Sequence, residues 1–274
     1  MSAVTLGLLA ALVNAATGVL SKGLASRYPA RPIIGVLLLM NCLLVLPFAP
    51  FVEWRWSEAI VALHLASAIL LVVSSVPVWD MFDAGAASAT TTAQALSPIA
   101  AAVGAALLIP GSVSLTQVLA ALIVVVGVTW ALRDAFGGLG RRGSIVRILV
   151  AASATGLLTV ATRLLADEGV GVVETYVVRT GVAAGVMLLV IPPRGVPASG
   201  IPRLLIRSVA VSSYFVLVIL AVQQGSPVVV QTLLAITPLL ILGYESLRAR
   251  ALPSTRALVG AALVVVGVAV VMLG

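Results

Sequence analysis

Val124-Val125-Val126-Gly127-Val128 is repeated as Val264-Val265-Val266-Gly267-Val268, and this recurrence at an offset of 140 residues decides how the chain is organised. The same offset lays 85–128 on 225–268 without a gap. Gly85 falls on Gly225, Ala95 on Ala235, Pro98 on Pro238, Ser114 on Ser254 and Ala121 on Ala261. Valine runs recur by chance in apolar helices, so the prolines and glycines held in register carry the weight of the match. With one residue's adjustment, Lys22 meets Arg163 and Asn14 meets Thr155.

The solvent of this chain is lipid. Apolar residues make up 61% of its 274 positions, charged residues 9%, and the mean hydropathy is +1.22. A soluble domain carries about a quarter charged residues. Strands can also cross a bilayer, but they alternate apolar and polar side chains. Val118–Val128 and Leu258–Leu273 are continuously apolar, which selects helices. At about 20 residues per crossing, breakers and apolar runs place spans at 5–26, 32–51, 58–79, 87–109, 115–132, 145–165, 171–191, 204–222, 226–247 and 257–273. The first lacks a basic leader and cleavage site and reads as helix one, not a signal peptide.

The expected architecture is an all-α membrane protein of ten transmembrane helices. Residues 1–134 and 145–274 form two five-helix repeats joined by the polar linker 135–144. An odd number of helices per repeat inverts the second in the membrane, and inverted repeats place a substrate site near the midplane between the halves.

The net charge of +7 reports topology here, not nucleic acid. Loops after helices one, three, five, seven and nine hold 13 of the 16 Lys and Arg residues; the opposite side holds Arg55 and Arg163, and Arg179 is intrahelical. The positive-inside rule then puts both termini on the outer face of the cytoplasmic membrane. Cys42, the single cysteine, permits no intrachain disulfide.

Polar groups inside a bilayer ask for a partner or a task. Asn14, Thr17 and Ser21 share a face of helix one, as Thr155, Thr159 and Thr162 do in helix six. Thr91 and Gln94 share the face of Pro98, and Gln231 takes the Thr91 position in helix nine. Tyr214, beside Ser212 and Ser213 in helix eight, either lines a cavity or anchors packing. These residues describe a neutral hydrogen-bonding cavity, against the alternative that Ser and Thr bond their own helices. Arg179, with Thr175 and Tyr176 a turn earlier, either holds an anionic group of a substrate or pins helix seven to an acid, Glu245 or Glu174. His64, in the first turns of helix three, reads as a hydrogen-bonded interfacial residue before a proton carrier. Asp80 and Asp83 read as partners of loop arginines. The glycines of Gly181-x-x-x-Gly185, with Gly127 and Gly267, serve close helix packing or a homodimer.

The layout resembles the EamA-type ten-helix members of the drug/metabolite transporter superfamily over essentially the whole chain. Ala86–Pro98 with the run to Gly127, and Ser226–Pro238 with the run to Gly267, look like that family's helix four–five pattern. Arg179 looks like the arginine of a repeat's second helix, and Lys22 like the basic residue closing the first. Three features depart from the family. Pro110-Gly111 and Arg250-Ala251 occupy the slots of its Gly-Glu pair, the first repeat's second helix lacks an arginine, and the family usually keeps its termini cytoplasmic. Helix one also lacks the deep glutamate of the small multidrug relatives, which leaves facilitated diffusion, or coupling through His64, Glu174 or Glu245.

The function expected is therefore a secondary transporter, without cofactor or metal, exporting a small polar or amphipathic metabolite by alternating access. A lipid-linked sugar flippase and a non-transporting membrane subunit are the alternatives. An enzyme is disfavoured: the sequence shows no metal-ligand cluster, no nucleophile with a partner at workable spacing and no nucleotide-type glycine loop.

Overall fold

The structure, a computed structural model, describes residues 1–84, 95–131, 142–193, 198–250 and 252–273. Among them the regular structure is helical: α1 Ala3–Ala25, α2 Ala30–Val45, α3 Glu58–Ala84, α4 Ser97–Leu108, α5 Leu115–Ala131, α6 Arg142–Asp167, α7 Val172–Val190, α8 Ile201–Gln224, α9 Pro227–Leu234, α10 Thr237–Ala249 and α11 Thr255–Leu273. A 3₁₀ segment, Leu46–Phe51, extends α2. Among the described residues eight spans are long and apolar enough to cross a membrane, α9 and α10 together making one of them; α4 and α5 are shorter apolar helices.

Local chemistry sets the boundaries. Ser2 caps α1 by accepting from the Thr5 amide at 3.2 Å. The equivalent serines do the same for α5 and α11: Ser114 accepts from the Gln117 amide and Ser254 from the Ala257 amide, each at 3.2 Å. The span expected as one helix over 226–247 is two helices, broken at Ala235–Ile236. Pro238 explains the break. Its nitrogen has no proton to donate and its ring collides with the carbonyl of the preceding turn, so the chain restarts a helix with proline in its first turn. Ala95 and Leu96 form a turn before Ser97-Pro98 at the equivalent place in the first half. The earlier part of the fourth expected span, 87–94, lies outside the described residues.

Helix pairing follows the repeat. α1 packs on α8 and α3 on α6, which is one relation read in both directions; α2 meets α7 and α5 meets α11. At the α5–α11 crossing, a Cβ on Gly127 would stand 2.8 Å from the Gly260 carbonyl oxygen. One on Gly267 would stand 2.6 Å from Val124 Cγ2 and 3.0 Å from the Ala120 carbonyl oxygen. Since 120 and 127 are the equivalents of 260 and 267, both contacts are the same contact. Gly127 and Gly267 thus pack within the chain. Cys42 is buried between α2 and α7, its Sγ 3.6 Å from the Val177 carbonyl oxygen.

Candidate functional site

A cavity of about 100 Å³ lies between α1, α2, α3, α6 and α8. Helical periodicity delivers its walls. Asn14, Thr17, Gly18 and Ser21 come from α1; Ile34, Leu37, Leu38 and Asn41 from α2; Leu71, Ser74, Ser75 and Val78 from α3; Arg207, Val211, Tyr214 and Phe215 from α8. Thr155 and Leu158 contribute from α6, and Trp79 and Phe82 complete the end toward which α3 runs.

Most hydroxyls in these walls donate to their own helices. Thr17 donates to the Asn14 carbonyl at 2.8 Å, Thr155 to Ala151 at 2.7 Å, and Ser74 and Ser75 to Leu71 at 3.0 and 2.7 Å. Their lone pairs stay available as acceptors. Asn14 holds the break in the ninth span, donating through Nδ2 to Thr237 Oγ1 at 3.3 Å. Asn41 is 1% exposed and its Oδ1 has no protein partner. A buried acceptor left unpaired costs free energy, so an acceptor on a cavity wall is suited to a ligand's donor. Arg207 supplies the opposite character. Its Nε donates to Ser21 Oγ at 3.2 Å, and its guanidinium lies 5.2 Å from the centroid of the Trp79 ring.

Of the residues singled out in the sequence, Asn14, Thr17, Thr155 and Tyr214 come together on this cavity. Gln231 lies beside it in a smaller void that shares Asn14, Thr155 and Tyr214. It accepts from Ser97 Oγ at 2.6 Å and donates to Thr159 Oγ1, tying α9 to α4 and α6. Thr91 and Gln94 lie outside the described residues. Tyr176 and Arg179 are absent from the cavity wall. Tyr176 is fully buried and bonded to Ser212 at 2.9 Å. Arg179 donates to Thr162 Oγ1 at 2.9 Å and lies 5.7 Å from the Phe215 ring centroid. Neither acid named for it is its ion-pair partner among the described residues. Glu174 points elsewhere because five residues turn a helix by about 140° beyond a full turn.

His64 also differs from its sequence reading. It is 2% exposed, and neither ring nitrogen has a hydrogen bond. Asp80 does pair with a cation near the loop: Arg31 binds it through two bonds of 2.9 and 2.8 Å.

Sequence reasoning missed Arg207 and Asn41. The charge count places Arg207 with the loop cations, since a cation a few residues beyond the Pro202 break reads equally as loop or helix. Asn41 does carry a signal, an amide in an apolar run spaced with Ile34 and Leu38.

Two further cations mark the ends of the bundle. Lys22, late in α1, donates to the Phe82 carbonyl oxygen at 2.8 Å, in the last turn of α3. Arg163, its equivalent in α6, donates to the Val222 and Gly225 carbonyl oxygens at 3.3 and 3.4 Å, where α8 ends. The final carbonyls of a helix lack intrahelical donors and carry its negative dipole end, so a cation is favoured there. α3 packs with α6 and α8 with α1. Each cation therefore ties the α1–α8 pair to the α3–α6 pair, Lys22 at one end of the bundle and Arg163 at the other. Among the described residues no three His, Cys, Asp or Glu side chains meet as a metal site.

The sequence profile of the EamA-like transporter family matches residues 1–133 and, separately, 142–273. The chain belongs to the EamA-like transporter family. The two matches fall on the two halves related by the 140-residue offset. A solved structure described as the crystal structure of a protein shares the fold of this EamA-like chain. It is 18% identical with a TM-score of 0.76, covering 99% of this chain and 96% of that one. No curated protein matches the sequence.

Proposed function

We propose that this chain is a secondary transporter exporting a small polar or amphipathic metabolite, amino acid-like in its chemistry, across the cytoplasmic membrane by alternating access. The observation that carries the reading is the cavity between the two halves. Arg207 is suited to an anionic group such as a carboxylate, the unpaired Oδ1 of Asn41 to an N–H donor, and Trp79, Tyr214 and Phe215 to an apolar or aromatic remainder. A substrate bearing all three is amphipathic and carries both an acid and an amine.

The frame for movement is the pair of end contacts made by Lys22 and Arg163. Releasing one while keeping the other would expose the cavity to one side at a time, as inverted repeats permit. The excess of arginine near Lys22 favours that end as the cytoplasmic one. The halves take the boundaries 1–134 and 145–274.

The test is saturable transport of labelled amino acids by purified protein in liposomes. Loss of transport in Arg207→Ala and Asn41→Leu with folding retained is the expected result. Indifference to both substitutions overturns the site, and absence of saturable transport across amino acid and drug panels overturns the function.

A further inference from the structure

At the Arg163 end, α3, α6 and α7 enclose a pair of titratable groups that the cavity does not use. His64 Nε2 stands 3.8 Å from Glu174 Oε1, and the two side chains are 2% and 0% exposed. Both are incompletely bonded. The imidazole has no hydrogen bond at either nitrogen. The carboxylate oxygens share one donor, the backbone N–H of Arg55, at 3.2 and 3.3 Å. Two facing buried polar groups, each short of protein partners, represent free energy that a single particle could recover.

We propose that His64 and Glu174 together bind one proton, and that its binding controls how the connector between α2 and α3 is held over this end of the bundle. The gap of 3.8 Å is too long for a hydrogen bond. A proton delivered by hydronium forms one N–H bond on the imidazole as one O–H bond of hydronium breaks to leave water, and it converts the pair to a charge-assisted bond of about 2.8 Å. Drawing Oε1 toward the ring competes with the bond from Arg55, which anchors residues 52–57. That connector covers the site: Trp56 lies 6.5 Å from the imidazole, stacked on Trp54, and the Arg55 guanidinium packs against Gly169 in the α6–α7 turn.

The charged groups around the pair are few. α7 supplies Glu174, which favours a positive imidazole, and about one and a half turns on Arg179, a like charge that opposes one. α6 supplies Thr162, bonded to Arg179, while its Arg163 turns to Asp167 at 2.9 Å and to the end of α8. The connector supplies Arg55. In the transport reading, on which the coupling role rests, the proton adjusts the same end that Arg163 and Gln223 hold shut, the latter donating to the Val170 carbonyl oxygen at 3.2 Å.

His64 is the chain's only histidine, so uniformly ¹⁵N-histidine-labelled protein in nanodiscs gives one imidazole to follow by NMR from pH 4 to 9. The expected result is a single titration whose midpoint falls by a unit or more in Glu174→Gln, a tenfold loss of proton affinity. In unmodified protein, tryptophan fluorescence should change with the same midpoint, and Trp56→Phe should remove that change; this arm stands even if Glu174→Gln does not fold. An imidazole that does not titrate, a midpoint indifferent to Glu174→Gln in folded protein, or fluorescence that does not follow it overturns the proposal. None of these measurements needs a substrate, so failure of the liposome assay and failure of the proton site remain separate results.

Discussion

Arg207 enters the bundle on the second turn of α8, and its planar group meets both a hydroxyl and an aromatic face. Lysine offers a point charge without the plane that stacks on Trp79. Arg207→Ala and Arg207→Lys should therefore both lower kcat/KM for an anionic substrate, alanine by about tenfold or more, since a bond to a charged group is worth about 1.5–3 kcal/mol. Arg179 stands differently. It is buried against Thr162 and Phe215, off the cavity wall. Among the described residues it has no ion-pair partner, and replacing such a buried cation by an apolar residue of similar length is close to neutral for stability. Arg179→Met should leave the melting temperature within a few degrees of wild type and retain most of the transport; loss of transport in a folded Arg179→Met protein would put Arg179 back in the site. The two arginines show how far single residues are legible in the sequence. A cation amid valines announces itself, but its task depends on which neighbour the fold brings to it. A cation near a proline break gives no sign that its helix carries it inward.

At the scale of elements, punctuation was legible. The 140-residue register pairs Ser114 with Ser254 and Pro98 with Pro238, and the structure gives each pair one local role: the serines cap α5 and α11, and the prolines stand in the first turn of α4 and α10. The break before Pro238 was not anticipated, since the hydropathy of 226–247 runs through it. Helix contacts were legible only as glycine positions. The structure supplies their partners, and these predict graded effects. A Cβ at Gly260 would meet Ala131 N at 2.7 Å and the Gly127 carbonyl oxygen, both backbone, which cannot step aside. A Cβ at Gly7 would meet Leu233 Cδ1 at 2.7 Å, the tip of a side chain that can. Gly260→Leu should cost about 1–3 kcal/mol or more through overpacking. Gly7→Ala should cost much less, the two being compared by denaturant unfolding in detergent. Equal losses would mean that the α5–α11 crossing yields more readily than its backbone contacts suggest.

For the whole molecule, the end contacts predict opposite responses. With Cys42 replaced by alanine and Ser75 by cysteine, an impermeant maleimide reports access to the cavity from either side of sealed vesicles. Lys22→Ala should raise labelling from the Lys22 end, and Arg163→Ala from the other. Increases from the same side in both would contradict the alternating frame. Orientation has its own measurement. The arginine bias expects a phosphatase fused after residue 274 to be active outside the cell. A fluorescent reporter that lights only in the cytoplasm would instead place this chain with the usual orientation of its family.

Lys22 and Arg163 have one more property in common: the acceptors they reach on the opposite helix pair are main-chain oxygens. No point substitution deletes a carbonyl. Of each contact, only the cationic half can therefore be removed by substitution. Under the proposed transport reading, exchanges at Asn41, Trp79 or Tyr214 alter the cavity and leave both sets of main-chain acceptors in place. In that reading the main chain supplies the part of each end contact that side-chain change cannot reach.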